Sequence, residues 1–166
     1  MTGPGRTLVI MRHAKSSWKT NEADLRRPLS GRGTRDAVVA GQELAGVEFD
    51  VVLVSPATRA QQTWQCLILG GVTSPDVRTE PAVYHHGAEA IVDRLRRLPD
   101  AAHRVLLIGH EPTVSDLVFT LAAHSPATRQ LEHFPTSGLA VLTHDRAWAD
   151  FGPGAAQLAA FKVPRG

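Results

Sequence analysis

Four residues able to do chemistry stand directly behind apolar runs. Arg12 and His13 follow TLVIM (7–11), Arg59 sits in SPATR behind DVVLVS (50–55), and His110 sits in GHEP behind RVLLIG (104–109). Two arginines and two histidines suit the handling of a phosphoryl group. Its charge is spread over non-bridging oxygens, and a guanidinium presents a rigid fork of donors that matches them. A neutral imidazole nitrogen is a competent nucleophile toward phosphorus. Flanking cations disfavour the imidazolium, so they are expected to hold His13 neutral near pH 7. The second histidine would donate a hydrogen bond to an equatorial oxygen as the transition state forms. Electrostatic clamping carries most of phosphoryl-transfer catalysis, and this set is expected to supply it without a metal. Neither an HExxH metal spacing nor a GxSxG nucleophile elbow accompanies the four. Taken singly, each is as readily a solvated or hydrogen-bonding residue. Their joint position behind three apolar runs is what points to a site.

The elements that must position them alternate in type. Beside the three apolar runs, helices are expected over 32–46, with Ala37, Val38, Gly41, Leu44 and Ala45 on one side, and over 57–70, closed by Gly70 and Gly71. Two more are expected over 88–98, ending before Pro99, and over 113–123, with Pro112 at the first turn. DVRTEP (76–81) holds a short strand. GLAVLTHD (138–145) and AAQLAAFKV (155–163) read as two strands joined by a polar turn, and 124–135 as an irregular excursion. The alternation predicts an α/β fold over a single domain, 1–166. Its form is a three-layer α/β/α sandwich with a mainly parallel central sheet, helices on both faces and the late strands at one edge. Ligands bind beyond the carboxyl ends of strands in such sheets, which is where all four residues fall.

Composition narrows the partners. The chain has 166 residues, 43% of them apolar and 20% charged, with a formal net charge of only +2. No Lys/Arg run of the kind that grips nucleic acid is present, so no nucleic-acid partner is expected. Cys66 is the only cysteine, which rules out an intrachain disulfide, and its setting in CLILG makes it a core residue. No apolar run approaches the ~18 residues of a membrane span. The start MTGPGRTL lacks the apolar core of a secretory signal, so a cytoplasmic location is expected.

RHAKSSW, SPATRAQQTW and GHEP, in this order and spacing, resemble the histidine phosphatase superfamily, which also contains the cofactor-dependent phosphoglycerate mutases. The branch looks like the SixA-like phosphohistidine phosphatases. RRPLSGRG (26–33), AVYHHGAEAI (82–91) and FPTSGLAVL (134–142) extend the likeness over about residues 7–145. The resemblance implies a phosphoglycerate mutase-like fold. It implies that His13 is the nucleophile that becomes phosphorylated, that Arg12 and Arg59 bind phosphate, and that His110 contacts the phosphoryl group. No cofactor is expected. Ser16 is either a hydroxyl donor to phosphate or a loop residue, and Lys15 either adds positive field at the pocket mouth or is solvated. Trp18 is the tryptophan nearest the pocket rim, while Trp64 and Trp148 read as packing residues. Asp24 is placed to bond an arginine of its own loop, Ser30 to cap a helix, and Gly109 to admit close backbone approach or end a strand.

Many superfamily members carry a carboxylic acid that protonates the leaving oxygen. Glu80, in TEPAVYHH, is the candidate here, with Asp24 and Glu111 as others; each is also readable as a surface carboxylate. The SixA-like branch generally lacks a clear counterpart. An alkoxide needs a proton donor to depart from phosphorus, whereas imidazole can leave a phosphoramidate already protonated. The expected activity is therefore a metal-independent phosphatase working through phosphohistidine on His13, with phosphohistidine on a signalling or phosphorelay protein as substrate. Two alternatives stay open: a small-molecule phosphomonoesterase of the same mechanism, and a non-catalytic phospho-ligand module. The partner is a phosphorylated protein or a small phosphorylated molecule.

Overall fold

Runs of Val, Ile and Leu set the strands, and their alternation decides which layer each side chain enters. The computed structural model describes residues 5–128, 131 and 133–166. Strands β1 (Arg6–Arg12), β2 (Val51–Val54), β3 (Val77–Thr79), β4 (Arg104–Gly109), β5 (Leu139–His144) and β6 (Gln157–Lys162) form one sheet in the order β3-β2-β4-β1-β5-β6. The first four are mutually parallel, and β5 and β6 run antiparallel at one edge. The helices are α1 (Gly31–Glu43), α2 (Thr58–Gly70), α3 (Ala82–His85), α4 (Ala88–Leu95) and α5 (Thr113–Leu121).

Successive strand residues face opposite layers. Val9, Met11, Val52, Val54, Leu106 and Ile108 pack under α1 and α2 with Ala40, Trp64 and Leu67. Leu8, Ile10, Leu53 and Leu107 pack under α4 and α5 with Leu95, Leu117 and Leu121. Both faces of the central strands are thus covered, which is why they read as continuous apolar runs rather than alternating ones. Glycine lets α1 and α2 touch: a Cβ at Gly41 would stand 2.6 Å from the Leu67 carbonyl oxygen.

The expected elements are present, with shifted ends. The first helix stops at Glu43 rather than 46, and Gly46 turns the chain with φ +83°. The helix starting at Ala88 stops at Leu95, because the next residues turn to bury Leu98 ahead of Pro99. α3 is an addition: a single turn too short to carry an amphipathic period. Between β5 and β6 lies more than a polar turn, since a 3-10 turn at Trp148–Asp150 buries Trp148 completely. Part of the excursion at 124–135 lies outside the described residues; of the rest, Thr128, Leu131 and Phe134 are buried. Among the described residues, no helix is long and apolar enough to cross a membrane.

Candidate active site

Strands β2, β4 and β1 are neighbours and parallel, so their carboxyl ends share one edge. Arg12 ends β1 and His13 follows it. Both are pinned through the main chain. The His13 N–H donates to the Gly109 carbonyl at 3.0 Å, and its own carbonyl accepts from the Ser137 N–H at 3.2 Å. The Arg12 N–H donates to the Gly138 carbonyl at 3.0 Å, and its Nη1 to the Phe134 carbonyl at 2.9 Å. Because β5 is antiparallel, its start lies at this same edge, and the turn at 134–138 becomes a wall of the site.

The His13 ring is 6% exposed, and its Nδ1 lies 2.6 Å from the Ala14 carbonyl. A carbonyl only accepts, so the proton sits on Nδ1 and Nε2 carries the free lone pair. Burial holds the ring neutral down to about 3, with repulsion from His110, Arg59 and Arg12 in support; the hydrogen bond to Ala14 opposes this. The flanking cations expected from the sequence are therefore the smaller cause, and desolvation the larger.

The helix α2 serves the nucleophile loop along one face. The Ala14 N–H donates to Thr63 Oγ1 at 3.0 Å, and that hydroxyl donates to the Arg59 carbonyl at 2.7 Å. The Leu29 N–H donates to Gln62 Oε1 at 2.8 Å. Cys66 packs with Ala14 and Ala37, and burial pushes its thiol up. Ser30 caps α1 by accepting from the Gly33 N–H at 3.0 Å. Gly33 has no room for a Cβ, which would meet the Lys15 carbonyl oxygen at 2.0 Å.

Ser55, at the end of β2, is a residue that the sequence reading did not single out. Its Oγ accepts from the Ala57 N–H at 3.1 Å and lies 2.7 Å from His110 Nε2. The hydroxyl keeps one hydrogen and a second lone pair, so it is able to donate to Nε2 or to accept from it, and either way it fixes the ring's orientation. His110 Nδ1 is buried without a protein partner. Burial also holds His110 neutral to about 4, helped by Arg59, Arg27 and Arg12 and opposed by Asp24. The two imidazole centroids are 5.0 Å apart.

Asp24 organises the cations. Its carboxylate accepts from Arg59 Nη2 and Arg27 Nη2 at 3.1 Å each and from the Tyr84 hydroxyl at 2.7 Å, while its carbonyl accepts from Arg59 Nη1 at 2.6 Å. Tyr84 above all, then Arg27 and Arg59, hold the carboxyl far below the usual carboxylate range. The sequence predicted one arginine partner for Asp24, and the structure gives it two. Arg27 also donates to Ser16 Oγ. It is a third arginine at the site, missed because RRPL offers no strand end to mark it.

Arg12, His13, Arg59 and His110 meet in one cavity of about 430 Å³, with Lys15 and Ser16 on its wall. Asp24, Arg27, Trp18, Glu111 and Thr136 complete the lining. The Nε atoms of Arg12, Arg27 and Arg59 are buried and unpartnered, as is His110 Nδ1. Three guanidinium groups and two imidazoles converging on one cavity suit an anionic acceptor, and a tetrahedral oxyanion is one that fits. Glu80 is not brought there: its Oε1 accepts from the Ala82 N–H at 3.2 Å and pairs with Arg94 at 3.5 Å. His85 and His86 lie exposed outside the lining, although Tyr84 sets its ring edge against His110. A Cβ at Gly109 would meet Val83 and Val114 at 3.0 and 3.2 Å, so this glycine serves helix packing. Among the described residues, no group of three His, Cys, Asp or Glu side chains could hold a metal ion.

Residues 8–83 match the family model of the histidine phosphatase superfamily (branch 1). The uncharacterized protein Rv1276c of Mycobacterium tuberculosis is 42% identical over 162 residues, which span 93% of this chain and all of that one. Among solved structures, the SixA protein of Nakamurella multipartitia superposes with a TM-score of 0.88 at 32% identity, covering 99% of both chains. The protein histidine phosphatase SixA in complex with tungstate superposes with a TM-score of 0.80 at 26% identity, covering 95% of this chain and 97% of that one.

Proposed function

The chain belongs to the histidine phosphatase superfamily, and from that premise we propose that it is a phosphatase that dephosphorylates phosphohistidine through a covalent intermediate on His13. The observation that carries this is the fixed tautomer of His13: Nδ1–H tied to Ala14, Nε2 free, in a cavity walled by arginine. Tungstate is a tetrahedral oxoanion like phosphate, and its presence in a SixA structure supports the same occupant here.

In the first step the Nε2 lone pair attacks phosphorus. The N–P bond forms as the bond to the leaving group breaks, and the leaving group takes that electron pair. An imidazole whose second nitrogen is already protonated leaves neutral. Arg12, Arg27 and Arg59 meet the equatorial oxygens, with the neutral His110 imidazole beside them. Phosphorylated at Nε2 while still protonated at Nδ1, His13 becomes an imidazolium and so a good leaving group in turn. Water then attacks phosphorus, dihydrogen phosphate departs, and the electron pair returns to Nε2. The arginines supply the charge stabilisation that a divalent cation supplies elsewhere, so the reaction needs no metal.

The carboxylates favour a P–N substrate. Asp24 is held ionised, Glu80 lies outside the cavity lining, and both Glu111 oxygens accept from Ser115. None is poised to give a proton to an alkoxide. The test compares wild type and His13→Ala on a phosphohistidine protein and on alkyl and aryl phosphates, with and without chelator. The expected result is turnover of phosphohistidine and aryl ester far above alkyl ester, unaffected by chelator, lost in His13→Ala, and covalent phosphate on His13 by mass spectrometry. Equal turnover of the alkyl ester would favour a general phosphomonoesterase. No covalent phosphate would leave only a binding module.

A further inference from the structure

Trp18 lines the cavity yet is 80% exposed, whereas Trp64 and Trp148 are 6% and 0% exposed. It is not loose. The guanidinium carbon of Arg27 lies 3.9 Å from its ring centroid, a cation–π stack on one indole face. Arg27, itself buried, is fixed by Ser16 and by Asp24, and Asp24 holds Arg59 as well. The indole is thus coupled to the arginines of the cavity, with its second face free.

In-line displacement fixes what that face meets. The leaving group must depart opposite the attacking atom. His13 is buried at the cavity floor and Trp18 is exposed at its mouth. A group leaving away from Nε2 heads for the mouth, where the indole is the one aromatic residue of the lining besides the two histidines. We propose that Trp18 is a specificity-determining residue whose free face receives the leaving group, favouring a flat aromatic one such as imidazole over a non-aromatic one. This rests on the phosphatase reading and names how it selects its substrate class. Stacking between an indole and a small aromatic ring is worth about three- to tenfold in binding.

The test uses phosphoimidazole and acetyl phosphate. Both carry leaving groups that need no strong acid, and only one is aromatic. Trp18→Ala is expected to lower the ratio of their kcat/KM values about three- to tenfold, mainly through the KM of phosphoimidazole. Trp18→Phe is expected to retain most of the ratio. An equal loss on both substrates would overturn the proposal, because it would mean that Trp18 only props Arg27. An unchanged ratio would overturn it too. A second measurement does not depend on turnover. In the His13→Ala protein, phosphoimidazole should shield Trp18, the one exposed tryptophan, from acrylamide quenching more than inorganic phosphate does. Equal shielding would refute the leaving-group contact. Absence of turnover of both compounds by wild type would sink the phosphatase reading instead, and the quenching comparison would still decide the role of Trp18.

Discussion

The burial that keeps His13 a nucleophile should make the fold sensitive to acid, and a histidine far from the cavity allows the effect to be measured cleanly. His144 ends β5 at the opposite end of the sheet. Its ring stacks on Phe151 at 4.2 Å and meets Trp148 edge-on at 4.7 Å. Burial first, then the charge of Arg6, holds it neutral to about 4 against an ordinary 6.5, although Asp145 opposes the shift. The unfolded chain protonates this ring below about pH 6.5 and the folded chain does not. Stability is therefore unaffected above that pH, falls as pH drops toward 4, and levels off below it. For one such histidine the loss is about 2 kcal/mol at pH 5 and about 3 kcal/mol at pH 4. His13 and His110 add losses of the same sign through the same window, since they stay neutral to about 3 and 4. The assay is urea unfolding of wild type and His144→Phe at constant ionic strength, at pH 7, 6, 5 and 4.5. A Phe keeps the aromatic stack and removes the titration. Whatever the substitution costs at pH 7, the variant should recover about 2 kcal/mol relative to wild type by pH 5. Parallel stability curves for the two proteins would refute the claim that burial keeps this ring neutral.

Two further outcomes follow from the cavity. Ser55→Ala removes the hydroxyl that fixes the orientation of the His110 ring, so kcat should fall about tenfold with KM little changed, and Ser55→Thr should restore most of it; a KM-only effect would contradict that role. Asp24→Asn takes the counter-ion from Arg27 and Arg59, so product inhibition by inorganic phosphate should tighten while kcat drops, each by about tenfold. Weaker phosphate inhibition in that variant would show that Asp24 organises the arginines more than it neutralises them.

Arg12, His13, Arg59 and His110 were legible because each stands just past the carboxyl end of a buried parallel strand, and that position can be read from a run of apolar letters. Arg27 was not, and Asp24 was read only as the partner of one arginine of its own loop, because that loop has no period and takes its path from distant partners. Asp24 meets Arg59, 35 positions on, and Tyr84, 60 positions on. Thr136 was hidden for a topological reason: only an antiparallel β5 brings the start of a strand to the edge where parallel strands end. His144 reads as a polar letter in a strand, and nothing local announces that Trp148 and Phe151 will close over it. The fold was read more fully than the helix ends, since periodicity marks a helix body while turn chemistry decides where it stops.

The ionised state of Asp24 and the abundance of arginine are linked. Three guanidinium groups line a cavity that also holds two neutral imidazoles. A carboxyl beside them is stabilised as an anion. Asp24 bonds two of the arginines and is driven well below the carboxylate range, and Glu111 stands near enough to Arg12 to stabilise its charge. Tyr84 first, and the two arginines with it, therefore leave Asp24 an ion-pair partner rather than a proton donor. The proposed substrate class agrees with this, because an imidazole on phosphorus departs without an acid where an alkoxide does not.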